Sequence, residues 1–321
     1  MLKTIAVMTS GGDSPGMNAA TRAVVRTAIR EGARIFGICN GYKGLLADDL
    51  FEMNTRSVSD IIQRGGTVLG TARSKEFETP EGRTMAYENL KKRDIQGLVV
   101  IGGDGSLRGA QALTEEHPIA VVGLPGTIDN DIYGMDYTIG SDTASNTIID
   151  AINKLRDTAS AHQRIAILEV MGRRCGWLAL IAGISGGAEY ILVPEEKFDL
   201  DKICDEISEM YKESRKRYVL IVIAEGAGSG IEIGKIIEER TGIDTRASVL
   251  GHIQRGGSPT MVDRLNASLL GQQATRALIS GVSNVVFSLK RGAPVSVNLH
   301  DAVTKKKRLD PEYLRMAEAL A

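Results

Sequence analysis

The sequence predicts an α/β fold with mainly parallel sheets. Short, almost wholly apolar runs recur along the chain, each alternates with a longer amphipathic stretch, and glycine-rich turns follow several of the runs. Strands this apolar must be covered on both faces, as in parallel sheets. Strand–helix alternation is what right-handed βαβ crossovers produce. Strands are expected at 4–8, 34–39, 95–101, 119–124, 164–170, 190–193, 218–224, 247–250 and 284–289. Helices are expected at 17–30, 83–93, 106–115, 141–160, 176–185, 200–215, 231–241, 260–280 and 311–320.

Length and composition bound the function. A chain of 321 residues is long enough for two domains. Its formal charge of −1 gives no global field favouring nucleic acid or an anionic membrane, and 4% aromatics argue against a base-stacking surface. Three scattered cysteines, Cys39, Cys175 and Cys204, offer no metal-ligand spacing and suit a reducing compartment. The chain begins on a strand without a signal-peptide pattern, and no apolar run reaches membrane-spanning length. A cytoplasmic location is therefore expected.

Three loops that follow predicted strands carry the chemistry. In such sheets ligands bind beyond the carboxyl ends of the strands, so the loops can share a crevice if their strands are neighbours. The first is Thr9-Ser10-Gly11-Gly12-Asp13-Ser14-Pro15-Gly16-Met17-Asn18. Glycines let backbone N–H groups face a phosphate, and the helix that follows adds a favourable dipole. It matches neither the Walker A loop nor the dinucleotide fingerprint, and a plain strand–helix turn is an equal reading.

The second loop, Gly102-Gly103-Asp104-Gly105-Ser106, sets a carboxylate between glycines at a helix start. Asp104 either caps that helix or helps hold Mg²⁺ while the glycine amides cradle phosphates. The third, Pro125-Gly126-Thr127-Ile128-Asp129-Asn130-Asp131, puts two aspartates two residues apart, on one side if the chain is extended. A general base must be a group within hydrogen-bond reach of its acceptor hydroxyl, and Thr127 can orient either partner. The alternative is an Asx turn. Together these loops describe a kinase: a site that holds a polyphosphate and activates a hydroxyl.

Two later segments add cations. Met171-Gly172-Arg173-Arg174-Cys175-Gly176-Trp177 places an arginine beside glycine at a helix start, suited to a phosphate or a developing charge. Cys175 reads as a small buried thiol. Gly251-His252-Ile253-Gln254-Arg255-Gly256-Gly257-Ser258-Pro259, with Arg246 before it, reads as a phosphate-binding turn. Arg22, Arg26 and Arg30 recur every four residues on one helix face, opposite Met17, Ala20, Val24 and Ala28. That face is either solvated or a second anion site.

In order and spacing, these motifs together with Arg64-Gly65-Gly66-Thr67 resemble the bacterial ATP-dependent 6-phosphofructokinase family, from Lys3 to about Asn298. The resemblance implies two Rossmann-like three-layer αβα domains, the phosphofructokinase fold. The larger, nucleotide-side domain would take residues 1–139 and 253–304, and the smaller, sugar-side domain 140–252 and 305–321. It implies transfer of the terminal phosphoryl group of MgATP to the 1-hydroxyl of fructose 6-phosphate, in glycolysis and under allosteric control.

By position, Gly11, Tyr42, Arg73, Asp104, Gly105, Ser106 and Gly109 would bind ATP, with Asp104 at the metal. Asp129 would be the general base, flanked by Thr127 and Asp131, and Arg173 the cation on the transferring group. Met171, Gly172, Glu225, His252 and Arg255 would contact fructose 6-phosphate. Arg164 and Arg246 would reach it from a neighbouring subunit of a homotetramer. Arg22, Arg26, Ser59, Asp60, Glu189 and Lys216 fall where relatives bind ADP or phosphoenolpyruvate as effectors. Thr55 and Ser214 depart from a basic pair in a relative, with Arg56, Arg215 and Arg217 close by. Ser141 and Trp177 depart as well, from an aromatic and an acidic residue respectively.

The rival readings are a pyrophosphate-dependent phosphofructokinase, a lipid or NAD kinase, and a catalytically silent nucleotide-sensing subunit. In the pyrophosphate branch an aspartate usually stands at 105 and a lysine at 126; here Gly105 and Gly126 leave room for a nucleotide. Asp129 and the Met171-Gly172-Arg173 segment argue against a lipid or NAD kinase. A silent subunit is expected to lose Asp104, Asp129 or Arg173, and all three are present.

Overall fold

The computed structural model describes residues 1–213 and 217–320. The first half of the chain runs β1 (Thr4–Ser10), α1 (Met17–Arg30), β2 (Arg34–Ile38), α2 (Gly41–Leu46), β3 (Leu50–Glu52), α3 (Pro80–Lys91), β4 (Gly97–Gly102), α4 (Asp104–Glu116), β5 (Ala120–Pro125) and α5 (Ser141–His162). It continues with β6 (Ile165–Val170), α6 (Trp177–Gly186), β7 (Tyr190–Leu192), α7 (Leu200–Lys212), β8 (Val219–Ala224), α8 (Gly230–Thr241) and β9 (Thr245–Val249). Last come α9 (Met261–Ile279), β10 (Val285–Lys290), β11 (Ala293–Asn298), α10 (Leu299–Thr304) and α11 (Pro311–Leu320). By contacts the chain divides into two units.

Unit one comprises Met1–Ile128, Ile132–Thr143 and Arg255–Lys307. Its seven strands lie in the order β11-β10-β5-β4-β1-β2-β3, parallel except at the two edges. Alternation along the strands sends side chains to opposite faces. Ile5, Val7, Val99, Ile101, Val122 and Leu124 pack with Met17, Ala20 and Val24 of α1 and Leu270, Ala274 and Leu278 of α9. Ala6, Met8, Leu98, Val100 and Val121 pack with Leu107, Ala110 and Leu113 of α4, Leu90 of α3 and Leu299 of α10. A fully buried aliphatic such as Leu107 contributes about 1.5–3 kcal/mol relative to exposure. The result is three layers, helix–sheet–helix.

Unit two comprises Asp129–Asp131, Ala144–Gln254 and the chain from Arg308 on. Its four strands, ordered β7-β8-β6-β9, are all parallel. Ile165, Ile167, Ile221 and Ile223 face Ile203 and Ile207 of α7 and Ile233 and Ile237 of α8. Leu168, Leu220 and Val222 point the other way and are equally buried, with α6 against β7 and β8 on that side.

Every expected strand and helix occurs, most with ends shifted by a few residues. Helix α3 starts early, because Pro80 occupies its first position and the Thr79 hydroxyl accepts from Gly82 N–H. Helix α7 ends at Lys212; its expected last residues, 214 and 215, lie outside the described residues. Strands β3 and β11 and helices α2 and α10 were not expected. The strands are exposed antiparallel edges that lack a long apolar run, and the helices have six residues each, too short to show a period. Among the described residues no helix is long and apolar enough to cross a membrane.

Candidate active site

The three glycine-bearing loops follow adjacent parallel strands of unit one, β1, β4 and β5, so they start from one edge of its sheet. The register is flush: Ser10 pairs with Gly102, and Gly102 with Pro125. Gly103, which has no side chain to cap with, is the N-cap of α4. The capping reading of Asp104 is therefore corrected: Asp104 is the first helical residue, and its carboxylate is paired with Arg108 Nε at 2.9 Å. A helix start leaves its first N–H groups for outside partners and favours anions. Thr127 lies beside this start, with its Cβ 3.4 Å from where a Cβ on Gly103 would stand.

The predicted nucleotide residues of unit one support one another. Gly11 has φ +89, and a Cβ there would stand 2.9 Å from Ser106 Oγ, so only glycine brings the β1 loop this close to α4. Tyr42 is buried, stacks on Phe77 at 3.8 Å and donates to Ser106 O at 2.7 Å. Burial pushes the Tyr42 phenol far above its ordinary value, so it stays a neutral donor. Its ring closes on Gly109, where a Cβ would stand 2.9 Å away. Gly105 faces open space, and Arg73 is exposed. Thr71 Oγ1 donates to Gly11 O at 2.8 Å.

Asn18, at the end of the first motif, has a role the sequence did not reveal. It is buried, its amide donates to Arg64 O and Gly65 O, and its carbonyl accepts from Val68 N–H. Gly65 in turn lies against Gly257, whose oxygen would be 2.3 Å from a Cβ on Gly65. Two glycine pairs far apart in sequence thus touch.

Unit two gathers the acidic and cationic groups. Asp129 is 4% exposed, and its Oδ2 lies 3.5 Å from Arg173 Nε. Asn130 has φ +50, so the 129–131 segment is bent, and the condition under which Asp129 and Asp131 would share one side, an extended chain, does not hold. Arg173 also has positive φ, +54, and follows Gly172 at φ +142. Side chains from other loops hold this turn. Glu225 Oε1 accepts from Arg173 N–H at 2.7 Å and Gly172 N–H at 3.3 Å, Gln254 Oε1 accepts from Met171 N–H, and Glu195 accepts from Gly176 N–H. Gln254 and Glu195 were not singled out from the sequence, because a backbone partner leaves no motif. Cys175 and Trp177 are buried beside the turn.

Arg164 and Arg246 are brought together by Asp244, Arg164 Nε at 3.5 Å and Arg246 at 2.7 Å. His252 is exposed on a short 3-10 turn, Gly251–Arg255. Arg255 belongs to unit one, where its guanidinium lies against Gly12. Of the anion residues predicted apart from these loops, Arg22 is half-buried and Arg26 exposed on α1, with Met17, Ala20, Val24 and Ala28 fully buried opposite. Ser59 and Asp60 are exposed in unit one; Glu189 in unit two accepts from Leu220 N–H at 2.7 Å. Lys216, with Ser214 and Arg215, lies outside the described residues.

Among the described residues no three His, Cys, Asp or Glu side chains are grouped to hold a metal ion. Mg²⁺ that arrives with a nucleotide takes one or two carboxylates and completes its octahedron with phosphates and water. The half-exposed Asp104 carboxylate, beside the open space at Gly105, fits that demand.

Parallel sheets with glycine-rich loops at their carboxyl edges define the class of α/β proteins that handle phosphates. The sequence model of the family "Phosphofructokinase" matches residues 4–278. The ATP-dependent 6-phosphofructokinases of Clostridium botulinum and Clostridium tetani are each 52% identical over 320 residues, covering 100% of this chain and of their own. The solved phosphofructokinase of Saccharomyces cerevisiae superposes with a TM-score of 0.89 at 40% identity, over 94% of this chain and 45% of that one. The chain spans less than half of that larger protein. A pyrophosphate-dependent phosphofructokinase from Marinobacter aquaeolei, 21% identical over 99% of this chain and 91% of its own, shares the fold with a TM-score of 0.86. The chain belongs to the phosphofructokinase family.

Proposed function

We propose that the chain transfers the terminal phosphoryl group of MgATP to the 1-hydroxyl of fructose 6-phosphate, giving fructose 1,6-bisphosphate and ADP. The carrying observation is the buried Asp129 beside Arg173. A carboxylate this buried needs a counter-charge, and a base for an alcohol must be held within hydrogen-bond reach of the proton, a role a fixed carboxylate can fill. In this reading Asp129 takes the hydroxyl proton as the oxygen attacks phosphorus. A guanidinium carries five N–H donors, more than one carboxylate takes, and Arg173 directs the remainder at the transferring phosphoryl oxygens. Phosphoryl transfer asks a protein mainly for positioning and charge neutralisation, which these two groups supply.

Unit one is assigned the nucleotide, through Gly11, Tyr42, Arg73, Asp104, Gly105, Ser106 and Gly109. Asp104 would hold Mg²⁺, which neutralises charge on the phosphates when bound. Unit two is assigned the sugar phosphate, through Asp131, Met171, Gly172, Glu225 and His252; by the resemblance, Thr127 and Arg255 are assigned to the same substrate. The pairing of Arg164 and Arg246 around Asp244 supports a joint anion site. We assign that site to a neighbouring subunit's sugar phosphate in a homotetramer. Arg22, Arg26, Ser59, Asp60, Glu189 and Lys216 are assigned to an ADP or phosphoenolpyruvate effector. The place of work is the cytoplasm.

One coupled assay tests the reading. ATP, Mg²⁺ and fructose 6-phosphate should yield fructose 1,6-bisphosphate, and pyrophosphate in place of ATP should not. No product with ATP, or faster turnover with pyrophosphate, would overturn it.

A further inference from the structure

Strands β6 and β9 pair side by side through Glu169 and Val249, and Leu250 N–H still donates to Glu169 O at 3.0 Å. Beyond that point the two chains separate into the Met171-Gly172-Arg173 turn and the Gly251–Arg255 turn. One side chain spans the gap. Gln254 is fully buried; its Oε1 accepts from Met171 N–H at 3.2 Å and its Nε2 donates to Gly251 O at 3.0 Å. An amide offers a donor and an acceptor at once, so it continues the ladder as a peptide unit would. A buried amide is costly unless both ends are paired, which fixes this side chain in one place.

The two turns it joins need such support. Arg173 holds a left-handed backbone conformation, and Gly172 at φ +142 leaves no room for a Cβ against Cys175 O. Backbone of this kind persists only where its surroundings over-determine it. Glu225 pins the turn from the β8 side. Gln254 pins it from the β9 side and ties it to the turn that carries His252.

We propose that Gln254 is a positioning residue for the fructose 6-phosphate half of the site, holding the Arg173 turn and the His252 turn at one fixed spacing. The proposal rests on the assignment of both turns to the sugar phosphate. With full burial, Gln254 acts through Met171 and Gly251 on the side chains next to them. Its loss should therefore weaken the sugar phosphate and spare the nucleotide.

The test compares wild type, Gln254→Leu and Gln254→Glu. Calorimetric titration gives the Kd for fructose 6-phosphate, and steady-state kinetics give kcat and the KM for ATP. The emission of Trp177, the only tryptophan in the chain, shows whether packing beside the turn survives. Gln254→Leu keeps the volume and removes both bonds. It should raise the fructose 6-phosphate Kd about tenfold and lower kcat by a similar factor, with the ATP KM within about twofold.

Gln254→Glu keeps the acceptor for Met171 N–H. It should recover kcat to within about threefold while the fructose 6-phosphate Kd stays raised. Wild-type Kd and kcat in Gln254→Leu would overturn the proposal, and so would an equal loss in the ATP KM, which marks general loosening. If Gln254→Leu does not fold, unchanged fructose 6-phosphate binding in Gln254→Glu overturns it. Failure of the wild type to bind or turn over fructose 6-phosphate would instead remove the functional reading, and this proposal with it.

Discussion

Arg173 Nε stands 3.5 Å from Asp129 Oδ2, and the two residues differ sharply in exposure: the aspartate side chain is 5% exposed and the arginine 50%. In the proposed function the buried member is the one a hydroxyl proton would reach, and the half-exposed member would follow the moving charge. Asp129→Ser should fold and bind both substrates, with kcat lower by about 10²–10⁴. A kcat within about threefold of wild type in that variant would remove Asp129 from the mechanism.

Arg173 can be probed for charge and backbone separately. Its φ of +54 is one that glycine adopts freely and alanine does not. Arg173→Gly and Arg173→Ala should both lose about 10²–10³ in kcat, the usual cost of a missing charge-stabilising donor. They should part in stability, the alanine variant unfolding about 1 kcal/mol more easily than the glycine one. Equal urea midpoints for the two would argue against the left-handed turn.

In the proposed function donor choice rests on two glycines, and these differ sterically. A Cβ at Gly105 meets nothing within 4 Å, whereas at Gly126 it would stand 2.9 Å from Met17 Cε. Gly105→Asp should therefore fold normally and lower kcat/KM for ATP by more than about tenfold, because its carboxylate repels a phosphate. Gly126→Lys should cost stability, of order 1–3 kcal/mol, since the core beneath it must shift. Thermal unfolding and initial rates with ATP decide both points; undiminished ATP use by Gly105→Asp would detach residue 105 from the donor.

A pH dependence of stability follows from Asp263 on α9. This aspartate is 1% exposed and accepts from Gly140 N–H, Thr143 N–H and the Thr143 hydroxyl at the start of α5. Burial raises its carboxyl from 3.8 to about 6, with these hydrogen bonds pulling the other way. Between those values the folded chain holds a proton that the unfolded chain has released. Stability from this group is thus full below the lower value and lost as pH rises to the upper one, about 3 kcal/mol in all. Asp263→Asn removes the titration. Urea unfolding from about pH 4.5 to about pH 7 should show the variant gaining on wild type as pH rises. A constant difference between them would sink this account.

The sheets were legible because their strands are buried on both faces and carry uninterrupted apolar runs, as in 98–101 and 219–223. Edge strands β3 and β11 pair with a neighbour on one side only, are largely exposed and give no such run. The glycine loops were legible because close backbone approach demands glycine at fixed places, as Gly11 beside Ser106 shows. Asn18, Glu195 and Gln254 were not, because each acts on a main-chain group and any backbone can be its partner.

Composition and spacing by themselves predicted the α/β class and marked three glycine-rich loops with a set of acidic and cationic candidates, since burial and close approach leave periodic and compositional marks; the roles expected of those candidates came from the resemblance to a family. Only tertiary structure decided that Asp129 lies beside Arg173, that Asn130 bends the chain between the two aspartates, and that Gly65 touches Gly257. The first and last are contacts between segments remote in the chain, and a partner across space is set by packing, which no local pattern encodes; the bend is a left-handed backbone turn that an Asn can adopt but does not dictate.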